Sequence, residues 1–394
     1  MSGGRRRHID AAERRARLAL RHHLAGTARA AGPEEVAASL VALHGTDPAT
    51  VYLAVGARLA EPAKTVPETE RALYEERTLV RMHGMRHTVF VFPADLTAVV
   101  HASTGLDLAA RARATLLKDM AKGGAPDAAW LAEVEASALA ALARRGEATA
   151  AELARDEPRL REQFVYAAGK SYEAMHTVSG RLLRVLGVEG KVVRGRPLGS
   201  WTSSQFRWAV APAHPELDPA EARAALLRRW LTACGPATEA DLKWWTGWRV
   251  TDVRAALRAI AAETVSLDEG VGYVVPGDTG PVTGPAFPWA ALLPALDPTT
   301  MGWQERDWYL PPELRPLLFD RSGNVGPTVW WDGRVVGGWA QRASGEIVWR
   351  IVDAGVRREA ESAVAAEAER LRSRLGGARV TPRFRTPVER ELSA

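Results

Sequence analysis

Cysteine is almost missing from this chain: Cys234 is the only one in 394 residues. That excludes an intrachain disulfide and any cysteine-built zinc cluster, and it fits a reducing compartment. Lysine is scarce too, supplying six of the 52 basic residues. Part of the net charge of +5 and the pI near 9.5 is therefore an arginine-rich coding bias rather than the mark of a polyanion partner. No run approaches the ~18 uncharged apolar residues that a membrane span needs. The opening Met1-Ser-Gly-Gly-Arg-Arg-Arg7 carries charge with no apolar segment behind it, so a protein neither exported nor membrane-spanning is expected, in the cytoplasm and near the nucleoid. A Gly-rich phosphate loop, a His-x-x-x-His pair and a Gly-x-Ser-x-Gly elbow are also missing in any credible context. Hydride transfer, kinase and α/β-hydrolase chemistry are left without support, and no metal or cofactor is expected.

What is present is ordinary globular composition, 46% hydrophobic and 25% charged, at a length that suggests two to four domains. The charge is unevenly placed. Between Arg159 and Arg207 nine basic residues stand against three acidic ones, Glu162, Glu173 and Glu189. A local basic stripe points to nucleic acid more strongly than the total does.

Gly146-Glu-Ala-Thr149-Ala-Ala-Glu152-Leu153 recurs 89 residues later as Gly235-Pro-Ala-Thr238-Glu-Ala-Asp241-Leu242. In each copy the Thr caps a helix and the acid three positions on reaches back to it. Upstream of the second copy, Leu227, Trp230, Leu231 and Cys234 mark a buried helix face, and Val250, Val253, Leu257 and Ile260 mark another downstream. Val265 to Val275 then alternates around an Asp-Glu-Gly turn as a hairpin does. Three helices and a hairpin make a winged helix. The first copy follows the same plan from Trp130 to Arg196. A third unit is expected at the start of the chain, with helices at 11–24, 33–43 and 48–59 and a strand pair at 79–92.

The last third differs. Asp332-Gly333 between two β-rich runs is a strong hairpin signal, and Ser344-Gly345 closes a second turn. A small C-terminal β-barrel or meander with a closing helix at 356–375 is expected. The fold class is thus α+β, with tandem winged-helix (helix-turn-helix) domains at 1–110, 111–210 and 211–285 and a β-rich domain at 286–394. Thirteen of the 14 tryptophans follow position 200, a distribution that suits domain packing.

The segment from Val41 to Ala60 contains the turn His44-Gly45-Thr46, followed by Asp47 as N-cap and Pro48 at the first helical position. This layout resembles the signature turn of a bacterial winged-helix family that includes monofunctional DNA glycosylases for alkylated bases, of the AlkZ and YcaQ types. There the turn carries Gln-x-Gln or Gln-x-Asp, where this chain has His44 and Thr46. The resemblance extends in order through Met85-Arg86-His87-Thr88, Gly199 to Trp208, the Gly-Pro-Ala-Thr helix, Leu293-Pro-Ala-Leu-Asp-Pro and the Asp332-Gly333-Arg334 hairpin. It implies a concave, basic protein that grips duplex DNA and hydrolyses the N-glycosidic bond of N7- or N3-alkylpurines without a metal.

Under that reading His44 accepts a proton from water, Thr46 orients the water, and Asp47 faces the sugar cation or simply caps its helix. Arg86 and His87, on a presumed wing, meet DNA. So do Arg194 and Arg196 of the basic stripe, and Ser203, Ser204, Gln205 and Arg207 at its end. Trp201, Phe206, Trp208, Trp244 and Trp245 are read as packing residues. The expected partner is double-stranded DNA, bound by a monomer. The alternative is a non-enzymatic winged-helix DNA binder or transcriptional regulator, and a third is a protein-interaction module.

Overall fold

The computed structural model describes residues 6–167, 169–353, 355–356 and 358–394. Most of the Met1–Arg7 opening and Arg357, at the start of the expected closing helix, lie outside them.

The chain opens with α1 (Ala11–Arg21), capped by Asp10, and α2 (Pro33–Leu40), which begins on proline. Here the structure departs from expectation. α2 stops at Leu40 because Val41 takes a left-handed φ of 65°, and Leu43–His44 becomes a short strand, β1. His44 therefore sits on a strand and not at a helix end. α3 (Pro48–Gly56) starts as the sequence dictates, with the Asp47 carboxylate accepting the Ala49 N–H at 3.1 Å. Every residue of α3 is buried. After α4 (Thr65–Glu70), β2 (Leu79–His83) and β3 (Val89–Pro93) form the expected hairpin. β1 pairs with the far edge of β3, His44 opposite Phe90.

The chain continues through α5 (Thr97–Val100), α6 (Leu106–Lys122) and α7 (Ala128–Arg145), the strand β4 (Glu147–Ala148), and α8 (Ala150–Asp156). A hairpin that the sequence did not announce follows, β5 (Gln163–Tyr166) with β6 (Ala174–Thr177), leading into α9 (Val178–Val188). The strands β7 (Val192–Pro197) and β8 (Phe206–Val210) close this part. The second copy runs α10 (Pro219–Cys234), α11 (Glu239–Thr246), α12 (Val250–Ala259), β9 (Glu263–Leu267) and β10 (Gly270–Val274). Both capping boxes form, Thr149 with Glu152 and Thr238 with Asp241.

The last part is an open meander, with β11 (Ala290–Leu293) followed after a 34-residue excursion that contains α13 (Arg315–Leu318) by β12 (Thr328–Trp331), β13 (Arg334–Gln341) and β14 (Ile347–Ile351). Among the described residues there is no barrel. The sheet has a helical cover instead: Val364, Ala368, Leu371 and Leu375 of α14 (Arg358–Leu375) join Ala290, Leu292, Val329 and Trp339 in one cluster. A sheet that buries its face on a helix has no need to close on itself. The chain ends in α15 (Pro387–Ser393), against β13.

Two features set where the parts meet. Residues 116–208 hold a hydrophobic core of their own, from Leu116 to Trp208. A larger cluster joins α1, β3, α10, α12 and the meander, from Leu18 to Leu392. Across it, the fully buried Arg58 donates two hydrogen bonds to Asp297 (2.9 and 2.7 Å) and others to the carbonyls of His22 and Ala54 and to Thr299. No helix of the described residues is long and apolar enough to cross a membrane.

Candidate active-site cleft

The β1–β3 pairing builds the site. Gly45 donates its N–H to the Val89 carbonyl at 2.8 Å. A Cβ there would lie 3.2 Å from the Phe90 carbonyl carbon, so any other residue would push β3 back by a few tenths of an ångström, and glycine favours the close approach of His44 to β3. The His44 ring meets Phe90 edge-on, centroids 5.4 Å apart. It borders a cleft of about 530 Å³ whose walls come from distant parts of the chain. They include Arg86 and Thr88 from the β2–β3 turn, Trp244 and Trp245 from α11, and Gln304, Arg306, Arg315 and Asn324 from the excursion between β11 and β12.

The turn that carries Arg86 has two successive left-handed residues, Arg86 (φ 56°) and His87 (φ 59°). Backbone of this kind is uncommon outside glycine and persists where its surroundings hold it. Here the Arg86 guanidinium lies over the Trp244 ring at 4.3 Å, and Arg306 approaches the same ring at 5.2 Å. The excursion is fastened to α11 by Asp241, whose Oδ1 accepts the N–H groups of Gln304 and Glu305, each at 2.8 Å. The acid of the second capping box thus also positions the cleft wall.

Burial, and then the Arg86 charge, lower the pKa of His44 to about 4. The imidazole is neutral at pH 7, and its Nδ1 is buried without a hydrogen-bond partner. Burial and the Arg306 charge lower the pKa of Arg86 as well. The cleft is aromatic and cationic, with one neutral base at its edge.

The other residues singled out in the sequence are distributed differently. Thr46 is half-buried in the turn, and the cleft wall includes neither it nor Asp47. Asp47 spends one oxygen on the α3 cap and the other on the Arg383 N–H at 3.1 Å. His87 is exposed on the turn, its pKa lowered by partial burial and then by Arg184 and Arg111. Arg194 lies half-buried over Phe206 (4.4 Å) and Trp208 (5.7 Å). Arg196 is held by Glu70 (2.6 Å) and Glu75 (3.1 Å), and Arg207 by Glu152 (3.4 Å). Ser204 and Gln205 are exposed in the β7–β8 loop with Ser203 half-buried beside them, while Trp201 packs on Tyr52. None of this second group borders the cleft.

The basic stripe is weaker than the local count suggests. Arg159, Arg181 and Lys191 are also paired, with Glu157, Asp119 and Glu135. Of these six acids, Asp119, Glu135, Glu152 and Glu157 come from 119–157, immediately before or at the edge of the stripe, and Glu70 and Glu75 come from earlier in the chain. Sequence reading missed Arg306, Gln304, Arg315 and Asn324, which no motif marks, and placed Trp244 in the core. Among the described residues no group of three or more His, Cys, Asp or Glu side chains is placed to hold a metal ion.

Comparison with known proteins gives one family and one fold. No curated protein matches the chain. Among solved structures, the Streptomyces sahachiroi DNA glycosylase AlkZ matches with a TM-score of 0.70 at 19% sequence identity, covering 93% of this chain and 97% of that one. A family model described as DNA glycosylase AlkZ-like matches residues 37–374. Most of the length lies within that match, and the chain belongs to the AlkZ-like DNA glycosylase family.

Proposed function

We propose that this protein is a monofunctional DNA glycosylase that hydrolyses the N-glycosidic bond of cationic N7- or N3-alkylpurines in duplex DNA. The observation that carries the reading is His44, a neutral imidazole with a free buried nitrogen at the edge of an aromatic, cationic cleft, in a chain of this family. An alkylated purine already bears the positive charge that makes it a leaving group. When the C1′–N bond breaks, its electron pair neutralises the base and the charge passes to an oxocarbenium-like sugar. Water attacks C1′ and releases a proton. A base with a pKa of about 4 takes little proton from resting water. His44 therefore orients the nucleophile, which becomes acidic only as it bonds to C1′. Thr46 is a secondary partner for that water, and Asp47 a positioning residue.

Trp244, Trp245 and Phe90 offer faces and edges for an extruded base. Arg86 and Arg306, stacked on Trp244, suit the flanking phosphates. The exposed neighbours of the cleft, His87, Arg184 and Arg111, extend this surface along the backbone. The Ser203-Ser204-Gln205 loop gives a second contact. The units α7–α9 with β7–β8 and α10–α12 with β9–β10 are read as winged helices, and α1–α3 with β2–β3 as a third, within the division 1–110, 111–210, 211–285 and 286–394. A monomer without metal or cofactor suffices for this chemistry.

One observation favours the non-enzymatic alternative: the same low basicity of His44. A single-turnover assay separates the two. Excess protein on a duplex with one 7-methylguanine should release the intact base and leave an abasic site that breaks only on alkali treatment, with or without chelator. Duplex binding with no base released would establish the regulator or binder reading instead.

A further inference from the structure

A second cavity, of about 440 Å³, lies between β2 and β7 and shares no wall residue with the His44 cleft. Its lining is mostly aliphatic, with Leu79, Val80, Val192 and Ala209 among the contributors. Its size and character are those of sites that take small organic ligands.

The polar groups in this wall are unusual. Arg81, on β2, is 3% exposed, and both its Nε and Nη2 are buried without a partner. Arg194, facing it from β7, leaves its buried Nε unpartnered, and so does the Tyr74 hydroxyl. The two carboxylates of the same wall are part-exposed to solvent and face other arginines. Glu147 faces Arg77 at 4.0 Å and Asp95 faces Arg229 at 3.6 Å. Two arginines thus line a largely aliphatic cavity without a counterion among the described residues, Arg81 fully buried and Arg194 half-buried and stacked on Phe206. An unpaired buried charge is costly, and a guanidinium fork meets a carboxylate or phosphate-like group with paired, charge-assisted hydrogen bonds. His214 of the wall stacks on His101, which lies outside it, at 4.7 Å.

We propose that this cavity binds a small organic anion: its acidic group lies between Arg81 and Arg194 with the Tyr74 hydroxyl as a further donor, and its apolar body lies along the aliphatic wall. A DNA phosphate fits the cavity poorly, because its aliphatic walls offer nothing to the sugars that would have to enter with it. The site is independent of the proposed excision chemistry and stands if that reading fails.

The test uses the full chain and two fluorescent probes of nearly the same shape, anilinonaphthalene sulfonate and neutral phenyl-naphthylamine. The sulfonate should bind saturably, one per chain, and raise the melting temperature, with the neutral probe roughly tenfold weaker or more, the usual worth of a lost charged hydrogen bond. Arg81→Met should erase that preference and, without ligand, should melt no lower than the parent, because it removes an unpaired buried charge. Ala98→Phe, at a half-exposed wall position, should block both probes. Arg306→Gln, in the other cleft, should change neither. Equal binding of the two probes would overturn the proposal, as would sulfonate binding that survives Ala98→Phe, that is lost in Arg306→Gln, or that duplex DNA displaces. A destabilised Arg81→Met chain would also count against it, since the guanidinium would then be a structural tie.

Discussion

The pH dependence of base release tests the proposed role of His44 most directly. A histidine of ordinary pKa, the expectation from sequence alone, gives a rate that falls as pH drops below neutrality. Burial and Arg86 move His44 to about 4, and the group is needed neutral. Its neutral fraction at pH 5.5 is about 97% with the lowered pKa, against about 9% for an unperturbed one near 6.5. Single-turnover excision of 7-methylguanine should therefore be almost flat from pH 7.5 to 5.5 and decline only toward 4. Fold stability must be followed alongside it. His22, His44 and His83 all have lowered pKa values, about 3, 4 and 4, with burial the largest cause. Below pH 6.5 the unfolded chain binds protons that the folded chain refuses, so stability is complete above that value and declines as pH falls. At pH 5.5 the loss is about 1.4 kcal/mol per histidine, which circular dichroism should register as a lower melting temperature without unfolding at assay temperature. Arg86→Gln removes the second cause and should move the His44 inflection upward. A tenfold fall in rate between pH 7.5 and 5.5, with the fold intact, would refute the assignment of a half-buried, neutral His44.

His44→Ala should lower single-turnover excision on the order of 10²-fold with little change in duplex affinity, and Thr46→Ala should cost less, both read by base release and gel shift. Asp297→Asn leaves the fully buried Arg58 with an uncompensated charge and should cost about 3–5 kcal/mol in urea unfolding. Arg111→Ala with Arg184→Ala should reduce the slope of log affinity against log salt by roughly one to two units. Arg196→Ala with Arg207→Ala should reduce it less, because carboxylates already hold those two side chains.

Much of the fold was legible because its signals are local. Asp47-Pro48, the two Thr-initiated capping boxes and the Asp332-Gly333 turn each state their geometry within a few residues. What failed needed information from elsewhere. Leu43 and His44 read as the end of an apolar helix, and only their pairing with β3, more than forty residues on, makes them a strand. The barrel alternative fell to the cover that α14 gives the sheet. The β5–β6 hairpin carries exposed Tyr172 and Met175 and little alternation, so no periodic pattern announced it.

The site shows the same division more sharply. His44 and Arg86 were singled out because local sequence marks each, a glycine-bearing turn ahead of Asp47-Pro48 and a strand pair at 79–92 read as a wing. Arg306 and Gln304 were not, because the residue that positions them is Asp241 of another helix, more than sixty residues away. Charge counting is blunter for a related reason. A stripe of nine cations over 49 positions says nothing about which acids fold against it, and Glu70, Glu75, Asp119, Glu135, Glu152 and Glu157 all do. The cations that keep their charge for a partner are those whose neighbours are other cations: Arg86 beside Arg306, and Arg111 and Arg184 around His87. Self-repulsion of that kind costs stability in the free protein. It is recovered only when an anion arrives, which is why exposed arginines without an acid among the described residues, Arg184 of the stripe included, and not the arginine count of a segment, mark the surface on which DNA is proposed to bind.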